Sequence, residues 1–212
     1  MDPSADLEGS DEEITSAGKV LQMLTQAWVN EKYCPELLKH ESDLVDCMMD
    51  QIKQMEANIS TLERDDFRLV PHQMEVDRIR YVISSYLRTR LEKIEMFAEY
   101  LIKNDYNTSN EEERLMSRGE FAFAENYYTD VKEHLFKEAL QYMPELIREP
   151  EGTSSQMEVT PNLNSTVFIK MVKTCRGVLI CDQVVELTAG SRHLLPYKDV
   201  RHLIRDGSAF LI

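Results

Sequence analysis

The residues that could do chemistry are scattered. The histidines His40, His72, His134, His193 and His202 lie in five separate stretches, none at metal-ligand spacing from a cysteine or carboxylate. Cys34, Cys47, Cys175 and Cys181 form no Cys-x-x-Cys pair. They read as reduced thiols of a cytosolic or nuclear protein, and Cys175 and Cys181 lack the second pair that a structural zinc requires. No glycine-rich phosphate loop, G-x-S-x-G elbow or H-E-x-x-H helix is present. Phe121, Phe123, Tyr127 and Tyr128 cluster as a base-stacking site would, but in an acidic segment and at the spacing of a helix core. The sequence therefore predicts no catalytic residue, no metal and no cofactor.

One charged residue stands out by position. From His72 to Asn104 the apolar residues Val76, Ile79, Ile83, Leu87, Ile94, Ala98 and Leu101 recur at helical steps, with Tyr86 and Phe97 beside them. Arg90 falls about 20° from Ile83 on that wheel, inside the stripe. A buried arginine needs a carboxylate or carbonyl partner, whereas a snorkelling one needs only its methylene stem covered. Such a helix would span about 45 Å, more apolar length than a short chain easily covers. Ile79, Arg80, Ile83, Tyr86, Leu87, Arg90 and Ile94 are therefore expected at a partner interface, with Arg80 and Arg90 bonded to acids.

Composition sets the frame for these elements. Of 212 residues, 42% are hydrophobic and 29% charged, as in a soluble globular protein, and only 7 Gly and 7 Pro argue against an all-β fold. No apolar run approaches a membrane span, and MDPSADLEGSDEE does not read as a signal peptide. The net charge of −14 argues against strong direct DNA binding by the isolated chain. From Asn164 to Ile212 there are 7 Lys/Arg against 4 Asp/Glu, so this part is +3 and the remainder −17.

In chain order, residues 1–13 carry six acids and no base and read as a disordered acidic arm, either solvating charge or a docking peptide. Ser16 can cap a helix with Val20, Leu21, Leu24, Ala27 and Trp28 on one face, ending before Pro35. A second helix runs from near Ser42 to about Arg64. Glu41 to Asp66 hold eight acids and two bases and His72 to Lys93 five bases and three acids, so helices two and three are expected as complementary antiparallel neighbours. Asn104 to Gly119 reads as a loop with room for a helical turn. Ser117 and Glu120 form a capping box for a helix with Phe121, Ala124, Tyr128, Val131, Leu135, Ala139 and Tyr142 on its face, stopped by Pro144. The expected division is a helical domain over 14–143, a linker over 144–163 and a small β-rich domain over 164–212.

In the small domain, STVFIKMVK and GVLICDQVVEL read as strands joined at Cys175-Arg176-Gly177, followed by a strand at HLLPY, a helix at Lys198–Arg205 and a strand at Ser208–Ile212. About 49 residues without disulfide or metal are marginal alone, so this unit should lean on a partner surface. Phe210, Leu211 and Ile212 are apolar to the end and are expected in a core or against another chain, Phe210 and Ile212 on one face and Leu211 on the other. The fold class is thus mainly α: an N-terminal antiparallel bundle of four to five helices followed by a small β-rich C-terminal domain.

The stretches RIRYVISSYLRTRLEKIE (Arg78–Glu95), AWVNEKYCPELL (Ala27–Leu38) and GSRHLLPYKDVRHLIRDGSAFLI resemble the Sld-five subunits of the eukaryotic GINS complex. The resemblance covers the chain apart from the acidic arm and the loops, and lapses over Asn104–Gly119 and the linker. It implies a helical domain followed by a β-rich one, in a non-catalytic scaffold subunit of a nuclear heterotetramer with three other GINS subunits. It further implies a place beside the MCM ring and a RecJ-like partner in the replicative helicase, serving DNA replication. On the residues alone, an adaptor of another nuclear complex, a weak DNA-binding module using the helix-three arginines or the +3 C-terminal unit, and a hydrolase or nuclease, which would need a metal or nucleophile constellation, stay open.

Overall fold

A computed structural model describes residues 17–63, 66–107, 114–144, 159–180 and 183–212. The acidic arm, the Ser16 cap, most of the expected linker and Cys181 lie outside the described residues. Helices α1 (Ala17–Tyr33), α2 (Ser42–Ser60) and α3 (Leu69–Met96) pack on one another. Near its end α2 meets the first half of α3 through an ion pair between Glu56 and Arg80. Near its start, the Glu41 amide donates to the Tyr86 hydroxyl further along α3 (3.3 Å). The two helices are therefore antiparallel, as their complementary charge and short connection predict.

Helix α3 begins three residues before His72, with Pro71 inside its first turn. A proline is tolerated there because the first four amides of a helix have no intrahelical acceptor. The expected single helix to Asn104 is broken at Phe97, which leaves helical geometry (φ −116°, ψ 24°) before α4 (Ala98–Asn107). Phe97 still donates to the Lys93 carbonyl and accepts from the Leu101 amide, both at 2.9 Å, so the break lasts one residue. An apolar period of three and four continues across so short a defect and cannot report it. Helix α5 (Arg118–Glu138) opens with the expected capping box: Glu120 N–H donates to Ser117 Oγ at 3.3 Å and Ser117 N–H to Glu120 Oε2 at 2.9 Å. A 3₁₀ turn over Leu140–Tyr142 follows.

The helical core has two parts joined by α3. Val20, Leu21, Leu24, Met48, Ile52, Val76, Ile79, Val82, Ile83 and Tyr86 fill one, between α1, α2 and α3. Leu37, Ile94, Phe97, Leu101, Ile102, Met116 and Ala124 fill the other, under α4 and α5.

In the C-terminal region β1 (Thr166–Met171) lies between β4 (Arg192–Pro196) and β5 (Ala209–Leu211), antiparallel to both. Strands β2 (Cys175–Ile180) and β3 (Gln183–Leu187) form a separate antiparallel pair. The expected single strand over GVLICDQVVEL is thus two strands, with Ile180 opposite Gln183. Cys175-Arg176-Gly177 is not a turn between strands but the start of β2, where the register shifts and Gly177 takes φ 72°. The near-continuous apolar text of 178–187 hides a reversal that needs only two residues. Helix α6 (Tyr197–Arg205) closes over the inner faces with Tyr197, Val200, Leu203 and Ile204. Gly207, at φ 65°, turns the chain into β5.

Candidate partner interface

The positions singled out in α3 build an internal polar centre. Arg90 is fully buried, and its guanidinium N–H groups converge on four groups from three parts of the chain. Nε and Nη2 grip the Glu120 carboxylate at 2.7 and 2.9 Å. Nη1 donates to Glu31 Oε2 (3.2 Å) and the Leu38 carbonyl (2.9 Å), and Nη2 also to the Leu115 carbonyl (2.9 Å). The guanidinium carbon lies 5.7 Å from the centre of the Tyr86 ring. Lys93, one turn on, donates to Glu31 Oε1 (2.7 Å) and the Glu36 carbonyl (2.9 Å). Burial opposes charge on the Glu120 carboxyl, yet Arg90 and the Ser117 amide and hydroxyl hold it below its ordinary range. Arg90 likewise stays cationic although buried, because Glu120, Tyr86 and Glu31 surround it. The capping box of α5 is thus also the anion that neutralises α3.

A second buried carboxylate joins the helices to the sheet. Glu36, on the connection after α1, accepts from the Tyr197 hydroxyl (2.6 Å), from Arg201 (2.6 Å) and from Arg205 (3.3 Å), all on α6. The Leu211 amide of β5 donates to Asn30 Oδ1 of α1 at 3.0 Å. Cys34 is buried within the small domain's core and Leu38 packs against it. Burial pushes the Cys34 thiol up to about 11. The surface on which the marginal β unit leans therefore belongs, at least in part, to this same chain.

The expected partner-facing residues divide. Ile79, Ile83, Tyr86, Arg90, Ile94 and Leu211 are each no more than 4% exposed in the chain by itself. The five on α3 face the chain's own interior, because α1, α2 and the α4–α5 pair cover the α3 stripe, and Leu211 faces the core of the C-terminal region. Arg80 and Leu87 remain accessible on α3, Arg80 paired with Glu56. Phe210 is half-buried and Ile212 exposed, on the sheet face opposite Leu211. Sequence reasoning missed Glu31, Glu36, Lys93, Tyr197 and Arg201. For Glu31 a signal existed: it follows Leu24 by seven residues on the α1 stripe, as Arg90 follows Ile83 on α3.

Other apolar surface stays open. The stripe of α5 is covered through Ala124 and Tyr128 but continues uncovered through Val131, Leu135 and, past the helix, Tyr142. Among the described residues no three His, Cys, Asp or Glu side chains gather to hold a metal, and no helix is long and apolar enough to cross a membrane.

The described chain is thus a helical bundle whose polar centre is spent on its own packing, with a small sheet docked on it and apolar surface left over. Residues 36–138 match the family model described as the GINS complex protein helical bundle domain, and residues 161–212 that of the DNA replication complex GINS protein SLD5 C-terminus. The chain is 35% identical over 212 residues to the rat protein named DNA replication complex GINS protein SLD5, covering 97% of this chain and 94% of that one. The human protein of that name is also 35% identical, covering 96% and 94%. The Arabidopsis thaliana one is 30% identical, covering 91% and 90%. This chain belongs to the SLD5 family of GINS proteins.

Proposed function

We propose that this protein is a non-catalytic scaffold subunit of a nuclear GINS heterotetramer. In that role it helps to join the MCM ring and a RecJ-like partner into the replicative helicase during initiation and elongation of DNA replication. The observation that carries the reading is similarity extending through both the helical and the β-rich parts at about 35% identity to proteins named for the GINS complex. The structure supports a scaffold role physically. Its buried charges are consumed in fixing helices and sheet to each other, while apolar side chains of α5 and the sheet remain at the surface. Of the interface residues expected from the sequence, Arg80, Leu87, Phe210 and Ile212 are accessible and are assigned to partner contacts on this reading. The test is co-expression with the three other GINS subunits of the same organism. Native mass spectrometry should give a 1:1:1:1 assembly that captures the MCM ring and the RecJ-like partner. A stable monomer that ignores all three subunits would overturn the reading.

A further inference from the structure

Where α6 meets the bundle, Ala27, Leu38, Leu115 and Ile204 wall a cavity of about 530 Å³, a size common for small-molecule sites. Tyr86, Asn30, Arg205 and Lys39 also line it, and each brings hydrogen-bond donors that the fold leaves unused. The Tyr86 hydroxyl accepts from the Glu41 amide at 3.3 Å and donates to no acceptor among the described residues. Asn30 Oδ1 accepts from the Leu211 amide at 3.0 Å and from Gln26 Nε2 at 3.1 Å. Because the Leu211 amide can only donate, it fixes which end of the Asn30 side chain is oxygen and leaves the NH2 group unspent. Arg205 gives one nitrogen to Glu36 at 3.3 Å, and Arg201 grips the same carboxylate at 2.6 Å. Charge around the cavity does not cancel. Arg90 and Lys93 balance Glu31 and Glu120, and Lys39 at the rim balances Glu41, but Arg201 and Arg205 exceed Glu36 by one. The cavity thus combines apolar walls, surplus donors and one surplus positive charge.

We infer that this cavity binds a small carboxylic acid with an apolar body, and that the bound acid clamps α6 to the helical bundle. The carboxylate accepts from the Tyr86 hydroxyl, the Asn30 NH2 group and the Arg205 guanidinium, while the body packs on Ala27, Leu38, Leu115 and Ile204. Charge and wall chemistry select this class. A single negative charge matches the surplus, whereas a phosphate dianion leaves one charge uncompensated in a partly dry site. An inorganic monoanion has no apolar surface for the walls to cover. A neutral amide forgoes the charge-assisted bond to Arg205, the strongest the cavity offers. The acid bridges α1 and α3 to α6, beside the contacts that Glu36 and Asn30 already make there. The site lies within one chain and needs no partner subunit.

The experiment presents the full chain with isovalerate, phenylacetate and cinnamate, each beside its primary amide, and with inorganic phosphate. Saturation-transfer NMR and calorimetry should show at least one acid binding, its amide binding about tenfold more weakly, and phosphate not binding. Tyr86→Phe and Arg205→Gln should each weaken the acid about tenfold. Ala27→Met fills the cavity and should abolish binding. Melting temperatures without ligand show whether each variant keeps its fold, and Tyr86→Phe, which retains the ring, serves if Ala27→Met is destabilised. In the wild-type chain the bound acid should slow amide exchange across α6 and β5. If none of the three acids binds at millimolar concentration, or if binding survives in a folded Ala27→Met chain, the inference fails. Equal affinity for acid and amide overturns it, because the donors and the charge then select nothing. Binding that leaves exchange of α6 unchanged overturns the clamp.

Discussion

Replacing Arg90 with Met tests whether the polar centre is structural. Methionine follows much of the arginine stem but offers no donor, so the Glu120 carboxylate loses both guanidinium bonds, and the Leu38 and Leu115 carbonyls lose theirs. Glu31 keeps Lys93 at 2.7 Å, and Glu120 keeps the Ser117 amide at 2.9 Å. One carboxylate is therefore largely stranded in a site where Arg90 itself is 0% exposed. Removing one partner of a buried pair costs about 3–5 kcal/mol. For a chain of this size that lowers the melting temperature by about 6–20 °C. Circular dichroism at 222 nm, followed against temperature on the isolated chain, reads it directly. Arg90→Lys should lie between, since one ammonium cannot span both carboxylates and both carbonyls. Adding Glu120→Gln to Arg90→Met should recover part of the loss, because a neutral amide tolerates the vacated site. A melting point of Arg90→Met within 2 °C of wild type would refute the reasoning.

Glu36→Ala removes the acceptor shared by Tyr197, Arg201 and Arg205, and should free the small domain from the bundle. Amide exchange should rise across β1, β5 and α6 while the interior of α3 keeps its protection. Deleting Leu211 and Ile212 removes a buried strand residue and the amide bonded to Asn30, at a cost of about 2–5 kcal/mol for the aliphatic side chain alone. Limited proteolysis should then cut within 164–210 and spare 17–107; protection equal to wild type would contradict the placement of β5. Cys34, buried with its thiol pushed up to about 11, should resist iodoacetamide at pH 8, whereas exposed Cys47 should react at once. Mass spectrometry of the alkylated native chain distinguishes them.

Local physics wrote much of the architecture into the sequence. Helical periods, the Ser117–Glu120 capping box and the opposite charges of α2 and α3 are carried by residues near one another, so their structural meaning survives without a fold. The same period placed Arg90 inside an apolar stripe and showed that it needed partners. Those partners were beyond the sequence. Glu31 and Glu120 lie 59 and 30 residues away. Only the packing of α1 and α5 against α3 brings them within hydrogen-bond reach. That packing also reversed the roles expected for Ile79, Ile83, Tyr86 and Ile94. An amphipathic stripe records that something must cover it and carries no mark of whether the cover is the chain's own. Strand alternation, with its period of two, put Leu211 on one face and Phe210 and Ile212 on the other, but with both faces apolar only the packing decided that Leu211 is the buried one. The docking of the sheet on the helices was not legible. It hangs on Glu36, a loop carboxylate like many others in an acidic chain, which becomes distinctive only when Tyr197 and Arg201, more than 160 residues later, close on it.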